Sequence, residues 1–147
     1  MLKRIFMMIC IVMVAFSLFE IRNRNVTADD FAISVTMESY VLYRQDPRFI
    51  ATLENVSNRR IRITAHFGLF SVYMPTAQGI IHSRPSPSRS YTLRSGGSLT
   101  LTPEPWQFGF EAGDHVAYIG AVFRVGRSIR IRIEPVQVTF TVLVWQG

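Results

Sequence analysis

From residue 29 onward, apolar side chains recur at every second position over most of the chain. That is the side-chain period of a β-strand, in which successive Cβ atoms point to opposite faces of a sheet. The segment 31–37 places Ile33, Val35 and Met37 on one face and Ser34 and Thr36 on the other. Residues 49–54 set Phe49, Ala51 and Leu53 against Thr52 and Glu54, and residues 60–67 set Ile61, Ile63, Ala65 and Phe67 against Arg60, Arg62, Thr64 and His66. No run after residue 28 has the 3.6-residue period of an amphipathic helix. The pattern therefore excludes a helical bundle and predicts half-buried strands.

Turn chemistry divides these runs. Asn55-Val56-Ser57-Asn58 predicts a turn, because Asn and Ser side chains bond nearby backbone and Asn tolerates positive φ. Gly68 breaks the next run at an expected bulge, and 69–74 continues it. Residues 83–90, Ser83-Arg84-Pro85-Ser86-Pro87-Ser88-Arg89-Ser90, hold two prolines and no large apolar residue, which predicts an exposed loop. Short strands at 91–93 and 98–102 flank Gly96-Gly97, and Pro103-Glu104-Pro105-Trp106 blocks further extension. The long apolar stretch 116–125, broken by Gly120, predicts a central strand buried on both faces. Residues 129–133 alternate isoleucine with Arg130 and Arg132, Pro135 interrupts, and 136–145 forms the last strand. Seven or more short strands separated by turn signals predict a β-sandwich.

The N-terminus predicts location. Lys3 and Arg4 precede a charge-free apolar run at 5–19, after which the chain turns polar at Glu20 and Arg22. This fits both an export signal and a short N-terminus-inside anchor, a spanning helix needing about 20 residues. Ala15-Phe16-Ser17 and Val26-Thr27-Ala28 are the candidate cleavage sites. Residues 1–28 are thus expected to be a signal peptide or membrane anchor with a short polar linker, and 29–147 one extracytoplasmic domain, anchored or secreted. Cys10 is the single cysteine and reads as one more apolar residue of the leader. The exported part must then hold together by its core, without the disulfides that small secreted domains often use.

The formal charge is +6, half of it from Lys3, Arg4, Arg22 and Arg24 against Glu20. The remaining excess is mild, and no basic stripe is interleaved with aromatics, so nucleic acid is not an expected partner. His66, His82 and His115 lie on separate segments without ligand spacing, so no metal is expected. There is no Gly-x-Ser-x-Gly elbow and no exported thiol. Asp114 and His115, as strand neighbours, point to opposite faces. Glu104, Glu111 and Asp114 fall in an apparent loop, where solvated acids are the simpler reading. No catalytic residue and no cofactor are expected.

Three groups of residues are candidates for binding. Arg60 and Arg62 on one strand and Arg130 and Arg132 on another would form a basic sheet face if those strands were neighbours. Such a face could meet anionic headgroups or wall polymer, although charged strand faces also serve simply as solvated surface and edge protection. Trp106 and Trp145, with Tyr40, Tyr43 and Tyr91, could stack on sugars, though core packing explains a tryptophan equally well. The 83–97 loop, with Arg84, Arg89 and Arg94, could enter a trypsin-like protease cleft, pre-organised by its prolines. Asn25-Val26-Thr27 and Asn55-Val56-Ser57 fit the glycosylation pattern.

Over residues 31–125 the chain also resembles the bacterial immunoglobulin-like domains of exported Gram-positive proteins. The matching segments are Val35-Thr36-Met37-Glu38 with Tyr43, Thr52-Leu53-Glu54-Asn55-Val56-Ser57, and Phe67-Gly68-Leu69-Phe70-Ser71-Val72. Gly97-Ser98-Leu99-Thr100-Leu101 and Ala112-Gly113-Asp114-His115-Val116-Ala117-Tyr118 complete them. The pattern is also similar to small proteinase-inhibitor sandwiches. The resemblance implies an immunoglobulin-like antiparallel β-sandwich, here preceded by an N-terminal hydrophobic helix, acting as a binding or spacer module without catalytic residues. The expected function is a non-enzymatic cell-envelope binding or scaffolding module, its partners the membrane (through the N-terminal segment) and a protein or envelope polymer. A proteinase inhibitor using the 83–97 loop and a carbohydrate-binding module are the alternatives.

Overall fold

A computed structural model describes residues 26–43, 45, 47–76, 79–82, 86–103 and 110–144. The apolar run at 5–19, and with it the expected N-terminal helix and the Ala15-Phe16-Ser17 motif, lies outside them, whereas Val26-Thr27-Ala28 lies within. After a 3-10 turn at Ala28–Asp30, the described residues form β1 (Phe31–Met37), β2 (Tyr40–Leu42), β3 (Phe49–Asn55), β4 (Ile61–Ala65) and β5 (Phe70–Thr76). There follow β6 (Gly79–His82), β7 (Arg89–Leu93), β8 (Ser98–Leu101), β9 (Gly113–Val125) and β10 (Ile129–Leu143). The fold is all-β and sandwich-like. One sheet has the order β1-β3-β8, the other β2-β10-β9-β4-β7, with β5 and β6 attached along β9.

Alternation decides which residues enter the core. In β3, Phe49, Ala51, Leu53 and Asn55 are buried while Ile50 and Glu54 are exposed. In β4 the buried set is Ile61, Ile63 and Ala65, and in β9 it is Ala117, Ile119, Ala121, Phe123 and Val125. Edge-to-face aromatic pairs join the two sheets across this layer: Phe31 meets Phe123 at 4.8 Å and Phe49 meets Phe140 at 6.2 Å. Such pairs contribute about 0.5–1.5 kcal/mol beyond the area they bury.

Several expectations change once the strands are paired. The sheets are not wholly antiparallel. β2 follows β1 after only Glu38 and Ser39, keeps its direction, crosses to the other sheet and pairs parallel with β10. Thr141 N–H donates to Ser39 O at 2.9 Å and Tyr43 N–H to Leu143 O at 2.8 Å, holding the crossover. Gly68 is a joint between two strands rather than a bulge in one. It adopts φ +95°, a region that disfavours side chains, and both β4 and β5 then pair with the same edge of β9. Phe67, expected on the apolar face, is carried outward at this joint and is 80% exposed.

Pro135 does not end a strand. Ile133 pairs with Ala121 and Val136 with Ile119, so β10 carries one residue more than β9 between these pairs. This bulge accommodates a residue without an N–H donor. It also reverses the alternation: Ile131 and Ile133 face the core before it, Phe140 and Val142 after it. Gly120 faces the bulge, where an added Cβ would lie 3.4 Å from Ile133 O and 3.5 Å from Pro135 Cβ. β9 is central, as predicted, with β10 on one edge and β4 and β5 on the other. It is not buried on both faces: Val116, Tyr118 and Val122 are only half-buried and Arg124 is exposed.

Asn55 is the one buried polar side chain among the described residues, fully enclosed at the end of β3. Its Nδ2 donates to Arg59 O (2.7 Å), Arg94 O (3.0 Å) and Leu93 O (3.2 Å). Its Oδ1 accepts from Ser57 N–H (3.1 Å) and from Ser57 Oγ (2.6 Å), the local turn bond that the sequence predicts. Its backbone N–H donates to Gly97 O and its carbonyl accepts from Gly96 N–H, both at 2.9 Å. One residue thus ties the β3–β4 turn to the β7–β8 turn. The same enclosure leaves Asn55 Nδ2 without room for a glycan.

Candidate binding surface

The outer face of the larger sheet is built by the parity that buries its inner face. With Ile61 and Ile63 inward, Arg62 and Thr64 of β4 point out. With Phe123 and Val125 inward, so does Arg124 of β9, and with Ile131 and Ile133 inward, so do Arg130 and Arg132. The strands carrying the two predicted arginine pairs are not direct neighbours, because β9 lies between them. β9 supplies an arginine of its own. Arg130 is in register with Arg124, Arg124 with Thr64, and Thr64 with Ser90, so one row crosses four strands. The hydroxyls of Thr64 and Ser90 are 2.9 Å apart. Arg132 opposes Val122 and Arg62 opposes Thr92 on the flanking rows.

Arg124 is the residue that sequence reasoning missed, since it sits inside what reads as an apolar run. The signal in the sequence was parity: Arg124 stands between Phe123 and Val125 and so faces opposite to them. Edge protection does not fit Arg62 and Arg124, on β4 and β9 between paired neighbours, whereas Arg130 and Arg132 lie where β10 pairs with β9 alone, since β2 joins β10 only at Thr141–Leu143. Arg62, Arg124, Arg130 and Arg132 are all exposed, and none is joined to a carboxylate among the described residues. Arg59, by contrast, pairs with Asp30 at 3.0 Å. Directly opposed Cβ atoms lie about 4.5–5.5 Å apart, and like charges in that position are destabilising. Arg124→Thr is accordingly expected to raise the unfolding free energy by about 0.2–1 kcal/mol, with the gain shrinking as salt screens the pair. Urea titration of both proteins at low and high ionic strength checks this.

The other predicted residues do not join the row. Arg60 is exposed just ahead of β4. Arg89 begins β7 opposite Ala65 and lines a shallow depression of about 210 Å³ together with Tyr91, Leu101 and Pro103. Arg84, Trp106 and Trp145 lie outside the described residues. The 83–97 segment is not one continuous loop, because Arg89–Leu93 pairs along β4 and Arg94–Gly97 closes a tight turn held by Gly97 N–H to Arg94 O at 2.9 Å.

Asp114 and His115 diverge as expected. Thr141 Oγ1 donates to Asp114 Oδ1 at 2.7 Å, while His115 stacks on Phe140 at 5.4 Å and lies 2.8 Å through Nε2 from Glu111 O. Farther along the outer face, Tyr73 and Tyr118 stack in register at 4.9 Å. Among the described residues no three His, Cys, Asp or Glu side chains converge on a point that could hold a metal ion.

The described strands define a small all-β sandwich-like domain, and one solved structure is similar at the level of fold. The structural-genomics target SoR45 is similar with a TM-score of 0.51 and 9% identity, over 78% of this chain and 88% of that one. The CARDB domain of the PF1109 protein from Pyrococcus furiosus, solved in complex with di-metal ions, gives 0.47 at 12% identity over 81% and 94%. A β-glucosidase from Listeria innocua, solved in complex with glucose, gives 0.48 at 12% identity over 76% of this chain, which spans only 16% of the enzyme. No family model matches the chain, and no curated protein matches it by sequence.

Proposed function

We propose that the chain is an exported, non-enzymatic binding or scaffolding module of the cell envelope, an immunoglobulin-like sandwich whose working surface is the arginine face of the larger sheet. The observation that carries this reading is the row Arg130–Arg124–Thr64–Ser90, with Arg62 and Arg132 beside it, crossing four strands and without carboxylate partners for its arginines among the described residues. Like charges placed in register weaken a sheet. An acidic or phosphate-bearing partner would turn that repulsion into attraction, because guanidinium groups bind carboxylate and phosphate in bidentate fashion. The basic start and apolar run at 5–19 support an extracytoplasmic location, tethered or secreted. For the inhibitor alternative, Arg89–Leu93 of its 83–97 loop pairs along β4, which favours the arginine-face reading.

The test joins location to surface. Fractionating the native host and weighing the intact protein is expected to place it in the membrane, envelope or medium. A photoreactive residue at Thr92, in register with Arg62, is expected to trap a partner there. The same probe at Thr100, on the outer face of the smaller sheet, is expected to trap none. A cytoplasmic protein, or adducts from Thr100 alone, would sink the reading.

A further inference from the structure

We propose that the arginine face docks against an anionic bilayer, held there by the N-terminal apolar segment acting as an uncleaved tether. This rests on the envelope reading above and names the partner of the same surface.

The argument is one of position. The chain enters the sandwich at the end where these arginines lie. Val26 is buried, Asp30 binds Arg59 through its side chain at 3.0 Å, and its carbonyl accepts from Val56 N–H at 2.9 Å. Phe31, the first strand residue, packs on Phe123 at 4.8 Å, one residue from Arg124. Arg124 and Arg130 bracket the β9–β10 turn at this end, and Arg60 follows the anchored Arg59. The apolar run ends at Phe19, so only residues 20–25 separate it from Val26. Fully extended, a segment of that length spans about 20 Å. That bound keeps Val26, at the end of the domain where these arginines lie, within about 20 Å of the surface.

The chemistry agrees with the geometry. Every basic group on the face is an arginine, the side chain best suited to bidentate phosphate contact, and a sheet face presents them broadly enough to meet a planar array of headgroups. The nearest acid along β10, Glu134, lies two residues beyond Arg132 at the bulge and makes no ion pair with these arginines among the described residues. A basic residue near an anionic surface gains a factor of about five in binding. Several acting together on a domain already tethered would keep it docked most of the time.

The experiment uses the full-length chain reconstituted into vesicles of phosphatidylcholine, with and without phosphatidylglycerol. Phenylglyoxal modification of each arginine is read by peptide mass spectrometry. Arg48 precedes β3 at the opposite end of the sandwich, is exposed, and serves as the internal reference. On phosphatidylglycerol vesicles, modification of Arg60, Arg62, Arg124, Arg130 and Arg132 relative to Arg48 is expected to fall about fivefold or more. The protection should vanish on neutral vesicles and in high salt. In the R124Q/R130Q/R132Q variant, Arg60 and Arg62 should lose their protection as well. Equal modification on both vesicles overturns the proposal and leaves the envelope reading standing. Equal protection by soluble polyphosphate on neutral vesicles also overturns it, assigning the face to a free anionic polymer. A chain that floats with neither vesicle overturns the tether and this proposal together.

Discussion

Asn55→Ala is expected to lower the unfolding free energy by about 3 kcal/mol, as read by urea denaturation followed by circular dichroism. The side chain is fully buried, and it donates to three carbonyls, Leu93 O, Arg59 O (shared with Ser57 Oγ) and Arg94 O (shared with Gly97 N–H), from two different turns. Alanine would remove the Asn55 donor from the buried Leu93 O, weaken the part-buried Arg59 O and Arg94 O, and take away the Oδ1 acceptor of Ser57, a buried unsatisfied group costing about 1–3 kcal/mol. It would also cut the bridge between the β3–β4 and β7–β8 turns. Asn55→Asp is the sharper variant, because an ionised carboxylate cannot donate at all. Burial and the surrounding carbonyl oxygens would raise the folded-state pKa of the substituted carboxyl above the unfolded value of about 3.9. The variant should therefore be most stable below about pH 4 and lose stability as pH rises through the folded pKa, opposite to an ordinary salt-bridged Asp. A loss below about 1 kcal/mol for Asn55→Ala would show that the network is not what joins the turns.

Phe49→Ala is expected to cost about 3–5 kcal/mol, with Ile50→Ala beside it costing less than about 0.5 kcal/mol. Phe49 is fully buried and meets Phe140 edge to face across the two sheets, while Ile50 is 47% exposed on the outer face of the smaller sheet. Adjacent residues of similar apolar character thus differ several-fold in effect, because strand parity sends one ring into the core and leaves the other side chain in water. A domain of this size has only about 5–15 kcal/mol to lose, so the first variant should approach the edge of folding at physiological temperature. Thermal melts of both proteins check the contrast, and equal shifts would mean that the register of β1 against β3 is wrong.

How far the sequence could be read depends on the range of the interactions involved. The alternation in 49–54 and 60–65 predicts the buried sets of β3 and β4, and that in 31–37 the half-buried inner face of β1, because side-chain direction in a strand is a local property. Asn55 to Ser57 is likewise local, and its turn bond is present at 3.1 Å. Phe67 and Pro135 were misread for a shared reason. A glycine joint and a bulge each shift the phase of a strand, and the shift shows only against the partner strand. The candidate site follows the same division: the outward direction of Arg60, Arg62, Arg130 and Arg132 was legible, and their assembly into a face was not.

By itself the sequence determined the all-β class, the strand faces and the sign of the charge on each, since these follow from a two-residue period and side-chain chemistry alone. Only the tertiary structure decided that β9 lies between β4 and β10 and carries Arg124 into register with Arg130 and Thr64. It likewise decided that β2 crosses sheets to run parallel with β10, and that the arginines gather at the end where the chain enters the domain. Pairing partners are chosen by the packing of side chains distant in sequence, and no local period records that choice.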